Sequence, residues 1–332
     1  MTTLTLARSR WRLILGVAAF LAVALAAAVG LWSWSVNGQI AATEVDDPAL
    51  NAPGEFARVQ GYRLHFQRVG DPLADPTGAP IVLIHGFASS GQEFGRLLPA
   101  LAETRSLIVP DLLGFGYSER VPTPVPAYSH RGQAALLKDL LDQLGVARVD
   151  LVGSSYGGGI AAQFSLDYPE RVRRIVFVDA EIYGTGEGNG AVAYLPFGLN
   201  RALTWTALGG GPVAAQLVEL ACADVAACLG DGEFASARAR LTRVRGSTDA
   251  LIAFSQTPRD KRLPDEIGQV AAPALVVWGE QDQIIAPEFG ERLAGALPDA
   301  RLEWIPRAGH IPHLEQPAVV APLILDFLDD RP

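Results

Sequence analysis

Gly153-Ser154-Ser155-Tyr156-Gly157 sets a serine between glycines two places before and two places after it. The apolar run Val149–Val152 precedes it, and a helical pattern follows until Pro169. A sharp strand-to-helix turn of this kind lifts a serine hydroxyl clear of a sheet. The glycines leave room where side chains would strike the neighbouring strand or helix. Ser154 is the rival serine, but only Ser155 has both flanking glycines.

A serine hydroxyl is a weak nucleophile at neutral pH and needs a base. Of the five histidines, His65 falls in a predicted hairpin and His130 at a helix start. His85 ends a strand before Gly86. His310 and His313 follow the last predicted strand, and the base is expected last in chain order, after the acid. His310 is preferred because it comes directly after Gly309 on the strand-exit loop. The acid is expected at the end of an earlier strand. Asp282, in Gly279-Glu280-Gln281-Asp282 after the run Ala274–Trp278, fits best. Asp179, after Ile175–Val178, and Glu280 are its rivals; their plainer readings are a loop carboxylate and a turn or helix cap.

Charge developing on a carbonyl oxygen needs donors. The Tyr156 backbone N–H stands at the positive end of the predicted helix. The Phe87 N–H, in His85-Gly86-Phe87-Ala88 after the first parallel strand, is the second candidate. Such a set performs acyl transfer and needs no metal or cofactor.

These groups require an alternating framework. Phe56 to Val69 reads as a hairpin turning near Gly61. Runs of strand type then recur at Ile81–Ile84, Ser106–Val109, Val149–Val152, Ile175–Val178, Ala274–Trp278 and Arg301–Ile305. Helical patterns lie at Gly132–Leu144, Ser155–Tyr168, Pro287–Leu297 and Pro317–Leu328. Continuous apolar strands separated by helices imply an α/β fold with a mostly parallel sheet covered on both faces. From Tyr183 to Arg262 the rhythm stops. That stretch is too long for a loop and reads as an inserted, mostly helical cap. Its aromatics are Tyr183, Tyr194, Phe197, Trp205, Phe234 and Phe254. They would either line an apolar site or hold the cap together. The divisions are therefore 1–36, an N-terminal anchor or signal segment; 37–55, a linker; 56–182 with 264–332, the core; and 183–263, the cap.

The first segment is apolar from Leu13 to Trp34, and the charge-free run continues to Thr43, with Arg8, Arg10 and Arg12 before it and Glu44, Asp46 and Asp47 after it. About twenty apolar residues in a helix span a bilayer core of about 30 Å. The charge asymmetry places the rest of the chain outside the cytoplasm, periplasmic or extracellular. The rival reading is a signal peptide cleaved near Ala26-x-Ala28, giving a secreted protein; the apolar stretch is longer than such peptides usually carry. A net charge of −9 argues against a nucleic-acid partner. Two cysteines, Cys222 and Cys228, cannot frame a metal site. They can pair only if the chain bends between them, because six helical residues span about 9 Å; two buried free thiols are the alternative.

The chain resembles the α/β-hydrolase superfamily from about Phe56 to Leu328, the cap excepted. The resemblance rests on His85-Gly86-Phe87, Asp111-Leu112-Leu113-Gly114-Phe115-Gly116-Tyr117-Ser118, Gly153-Ser154-Ser155-Tyr156-Gly157-Gly158, Trp278-Gly279-Glu280-Gln281-Asp282 and Gly309-His310. It implies a triad of Ser155, Asp282 and His310, an oxyanion hole from the Phe87 and Tyr156 amides, and a structural turn after Asp111. Serine at the elbow separates the chain from similar epoxide hydrolases and haloalkane dehalogenases, whose nucleophile is a carboxylate. The expected activity is hydrolysis of an apolar small-molecule ester, lipid-like or short-acyl. The alternatives are a carbon–carbon bond hydrolase of the meta-cleavage type, a cofactor-free perhydrolase or haloperoxidase, and a non-catalytic scaffold.

Overall fold

The computed structural model describes residues 2–45, 52–184, 190–196, 198–208, 212–230, 232–258 and 262–330. Gln60 and Gly61, both at positive φ (51° and 90°), turn β1 (Glu55–Val59) into β2 (Tyr62–Val69). Two successive residues at positive φ match the right-handed twist of a hairpin. β2 then pairs antiparallel with β4 (Leu107–Pro110), which is parallel to β3 (Ile81–Ile84). The sheet continues in parallel through β5 (Val149–Ser154), β6 (Val172–Val178), β7 (Ala274–Gly279) and β8 (Ala300–Ile305). The order is β1-β2-β4-β3-β5-β6-β7-β8. This is the mostly parallel sheet expected from the strand and helix runs, and its order is that of the α/β-hydrolase fold implied by the resemblance.

In chain order the helices are α1 (Thr2–Thr43), α2 (Leu98–Ala102), α3 (His130–Gln143), α4 (Tyr156–Asp167), α5 (Gly190–Ala193), α6 (Leu199–Leu208) and α7 (Pro212–Ala221). They continue as α8 (Val225–Leu229), α9 (Glu233–Leu241), α10 (Ser247–Gln256), α11 (Leu263–Glu266), α12 (Glu288–Ala296), α13 (Pro312–Glu315) and α14 (Pro317–Leu328). Apolar residues of α3, α4 and α12 cover one face of the sheet. Those of α2 and α14 cover the other. The central strands are buried on both faces, which is why they read as unbroken apolar runs.

Helices α5 to α10 occupy the stretch between β6 and β7. Phe254 of α10 packs against Phe87, Phe115 and Tyr156, so this cap aromatic roofs the strand ends. Tyr183 instead stacks on Phe289, and Tyr194 is exposed. Phe197 lies outside the described residues. Between α7 and α8 the chain bends at residues 222–224, which brings Cys222 and Cys228 to a Cα separation of 6.2 Å in a disulfide.

α1 departs from the expected boundary. Residues 37–43, expected within the linker, are helical. Val36 and Ile40, one turn apart, are buried against Ala202 and Trp205 of α6. The Asn37 side-chain amide donates to the Gly198 carbonyl (3.0 Å). Glu44 pairs with Arg201 (2.7 Å) and Arg245 (3.2 Å), and Val45 pairs with Val244. Polar Asn37, Gly38 and Gln39 conceal in the sequence that Val36 and Ile40 share a helical face. Asp46-Asp47-Pro48 lie outside the described residues. Residues 17–32 of α1 are exposed, and residues Val17–Thr43 are long and apolar enough to cross a membrane. Ile40, at 1% exposure, should hold this joint. Ile40→Ala is expected to cost about 2 kcal/mol, read as a lower thermal midpoint of the detergent-solubilised full chain; an unchanged midpoint would show that the joint carries no stability.

Candidate active site

Ser155 leaves β5 at φ 50° and ψ −119°, a conformation that non-glycine residues adopt only at a cost. Three backbone hydrogen bonds hold it. Its N–H donates to the Val178 carbonyl (2.9 Å), and its carbonyl accepts from Gly158 (2.9 Å) and Glu181 (2.8 Å). A Cβ on Gly153 would lie 2.5 Å from the Gly157 carbonyl oxygen, and one on Gly157 would lie 2.1 Å from that of Ile84. Backbone therefore meets backbone on both sides of the elbow, and only glycine fits.

Asp282 leaves β7 and His310 follows β8, so their loops and the elbow open at one edge of the sheet. His310 Nε2 lies 2.9 Å from Ser155 Oγ, and His310 Nδ1 lies 2.7 Å from Asp282 Oδ2. Asp282 Oδ1 accepts the Ile284 (2.7 Å) and Ile285 (3.0 Å) amides, which fixes the carboxylate plane. The arrangement suits a ring protonated on Nδ1, with Nε2 free to accept the serine proton. The His310 N–H donates to Ala221 of the cap (2.7 Å). Glu315 accepts Gly309 N–H on one oxygen (2.7 Å) and Asp224 N–H on the other (2.9 Å). The disulfide-closed cap loop thus sits directly on the histidine loop.

Of the sequence's rival residues, Ser154 is fully buried in β5 and Glu280 is exposed. Asp179 is brought into the site: its ligand oxygen, one of Asp282 and a ring nitrogen of His310 lie within 4.8 Å of one another. Such a trio could hold a metal, but His310 already directs both ring nitrogens to Asp282 and Ser155. His65 Nδ1 bonds Asp111 (2.8 Å), and that carboxylate also accepts the Gly91 and Tyr117 amides, which shapes the turn after β4. Burial would raise the Asp111 carboxyl, but His65, His85 and the Gly91 amide together outweigh it and hold it below its usual range. His130 lies against the Tyr156 ring.

His85 has a definite post. Its Nδ1 meets the Gly86 carbonyl (2.8 Å), and its Nε2 accepts the Leu112 N–H (3.0 Å). Because the peptide is planar and trans, fixing the Gly86 carbonyl fixes the Phe87 N–H in the opposite direction. The Tyr156 N–H is the first of α4 and has no acceptor within that helix. Beneath this loop, Glu93 Oε2 accepts the Gly86 N–H (3.3 Å) and Oε1 lies 3.1 Å from His313 Nε2. Glu93 was not found by sequence reasoning; among Ser89, Ser90, Gly91 and Gln92 it reads as an ordinary loop carboxylate.

A cleft opens beside Ala88, next to Phe87, between the core and α9 and α10. Phe115, Phe234 and Leu251 line it together with Arg238; Ser155 and His310 do not. No hydrogen bond or ion pair joins the Arg238 guanidinium to another described residue. Burial lowers its pKa, and Glu93 partly offsets that.

A model of the alpha/beta hydrolase family matches residues 81–323. The chain is 31% identical over 300 residues to a 2-hydroxymuconate semialdehyde hydrolase of Pseudomonas putida, covering 84% of this chain and 97% of that protein. Among solved structures, a thermophilic esterase from Thermogutta terrifontis superposes with a TM-score of 0.70 at 24% identity, covering 84% of this chain and 99% of that one. The enol-lactonase from Burkholderia xenovorans LB400 gives a TM-score of 0.69 at 23% identity, covering 83% and 100%.

The Glu93–His313 contact predicts an acid dependence. Burial alone would raise the Glu93 carboxyl, but His313, together with Ser89 and His85, outweighs it and lowers it from 4.5 to about 2. A lowered folded pKa contributes stability that is complete above the unfolded value and is lost as pH falls from about 4.5 through about 2. Acid titration of thermal stability should therefore fall more steeply in this window for the unaltered chain than for Glu93→Gln; parallel curves would show that Glu93 contributes no such term.

Proposed function

The chain belongs to the alpha/beta hydrolase family, and within it we propose a serine hydrolase that cleaves carboxylic esters through an acyl-enzyme on Ser155. The observation that carries this reading is the unbroken relay from Ser155 Oγ to His310 (2.9 Å) and from His310 to Asp282 (2.7 Å). In the first half-reaction His310 Nε2 takes the Ser155 proton as Oγ adds to the ester carbonyl. The Phe87 and Tyr156 amides receive the oxyanion; one such donor is typically worth about 10²–10³ in rate. His310 then gives its proton to the departing alcohol, leaving the acyl group on Oγ. Water repeats the sequence and releases the acid. Asp282 keeps the imidazole in the productive tautomer and stabilises its charged form.

Phe254 over the strand ends and the apolar cleft support an ester with an apolar part. Arg238 supports a substrate that also carries a negative group, because a half-buried guanidinium that no described residue pairs gains most from a carboxylate. The second reading, hydrolysis of a carbon–carbon bond by the same triad, is supported by the 2-hydroxymuconate semialdehyde hydrolase relative. For placement, α1 is an anchor that holds the cap beside the membrane, with the domain outside the cytoplasm. The apolar span and its docking on α6 support this.

Turnover of p-nitrophenyl esters of graded chain length tests the activity. Ser155→Ala should lower it by about 10⁴–10⁶; ester turnover that survives the substitution would refute the assignment. Cleavage of a vinylogous 1,5-diketone acid with no ester turnover would establish the second reading. Arg238→Met should raise KM about tenfold for esters bearing a carboxylate and leave KM for neutral esters unchanged. Equal effects on both would remove Arg238 from substrate recognition.

A further inference from the structure

Asp179 ends β6 beside β7, one residue past the Val178–Val277 pair. Its φ of 44° is unusual for a residue other than glycine. Its N–H donates to Val277 (3.0 Å), and Oδ1 accepts the Gly279 N–H (3.0 Å). The side chain is fully buried, and Oδ2 has no hydrogen-bond partner as an acceptor. The carboxylate that faces it is Asp282, with His310 within the same 4.8 Å group. Glu315 is a further carboxylate acting on it.

Two ionised carboxylates cannot share so buried a site, so one keeps a proton. Asp282 has two amides and the imidazole to stabilise its charge; Asp179 has one amide. Burial first, then the charge of Asp282, pushes the Asp179 carboxyl well above its usual range. With the proton on Asp179, an O–H can donate to Asp282, and the unpartnered oxygen is satisfied.

We propose that Asp179 and Asp282 form a carboxylic acid–carboxylate pair, in which Asp179 is a positioning residue for the His310 relay and a reserve acid that succeeds Asp282 when Asp282 is removed. In Asp282→Ala the neighbouring charge is gone, and the vacated space admits water, which weakens the effect of burial as well. Asp179 then releases its proton to solvent, and its carboxylate accepts the His310 Nδ1–H, directly or through one water in the vacated space. This rests on the serine-hydrolase reading of the same site.

The test is the rate at which a fluorophosphonate labels the full chain in detergent, measured across pH. The chains compared are the unaltered protein, Asp179→Asn, Asp282→Ala and the double variant, each checked by thermal unfolding. Asp282→Ala should label at least about tenfold faster than the double variant, so that Asp179→Asn costs more without Asp282 than with it. Labelling of Asp282→Ala should also rise with pH through a limb that the double variant lacks. Equal rates for these two at every pH would overturn the proposal. Infrared difference spectra cover the case in which the double variant does not fold. A protonated buried carboxyl should give a carbonyl band at neutral pH that Asp179→Asn abolishes; no such band in the unaltered chain would overturn the pair. Failure of the unaltered chain to label would count against the serine-hydrolase reading, while the infrared band would still report on Asp179.

Discussion

The geometry of the site depends on one residue being held where its backbone would not choose to be. Ser155 sits at φ 50° between a strand and a helix. Relaxing that angle would carry Oγ away from His310. The strain persists because hydrogen bonds to Val178, Gly158 and Glu181 over-determine the turn. Gly153 and Gly157 let the turn press against the neighbouring backbone. The parallel sheet does the rest. Parallel strands end on the same side, so β5, β7 and β8 deliver the hydroxyl, carboxylate and imidazole to one edge from positions far apart in the chain.

The cap contributes more than a roof. Its 221–228 segment, closed by the disulfide, contacts the histidine loop through Ala221 and through Glu315. Its other side receives the end of α1 through Val36, Ile40 and Asn37. A single insertion therefore joins the apolar N-terminal helix to the base of the relay. Ordering of the cap and ordering of His310 are linked by these contacts, since freeing the Ala221 carbonyl would also free the His310 backbone.

Much of this was legible in the sequence, and for a physical reason. The strands buried on both faces must be apolar throughout, so they stand out as runs. The elbow needs glycines at fixed offsets, so Ser155 stands out. The order serine, acid, histidine follows from the order in which the strands are threaded, which led to Asp282 and His310. What was not legible depends on contacts between segments remote in sequence. Arg238 reads as an ordinary helical arginine until α9 is laid over the loop after β3. Glu93 acquires its role only when His313 is packed against it. Asp179 looked like a competitor for the role of Asp282; in the structure it adjoins Asp282. The α1 joint was hidden because Ile40 looks like part of a polar tether until α6 covers it.

In the proposed reaction Ser155 forms a covalent bond with the acyl group. Mass spectrometry of the full chain after quenching a slowly deacylated ester, with the adduct mapped to a peptide, tests it most directly. A single acyl group is expected on Ser155, absent in His310→Ala over the same interval. An adduct on Ser154, or turnover of the ester with no acylated Ser155 at any time, would contradict it.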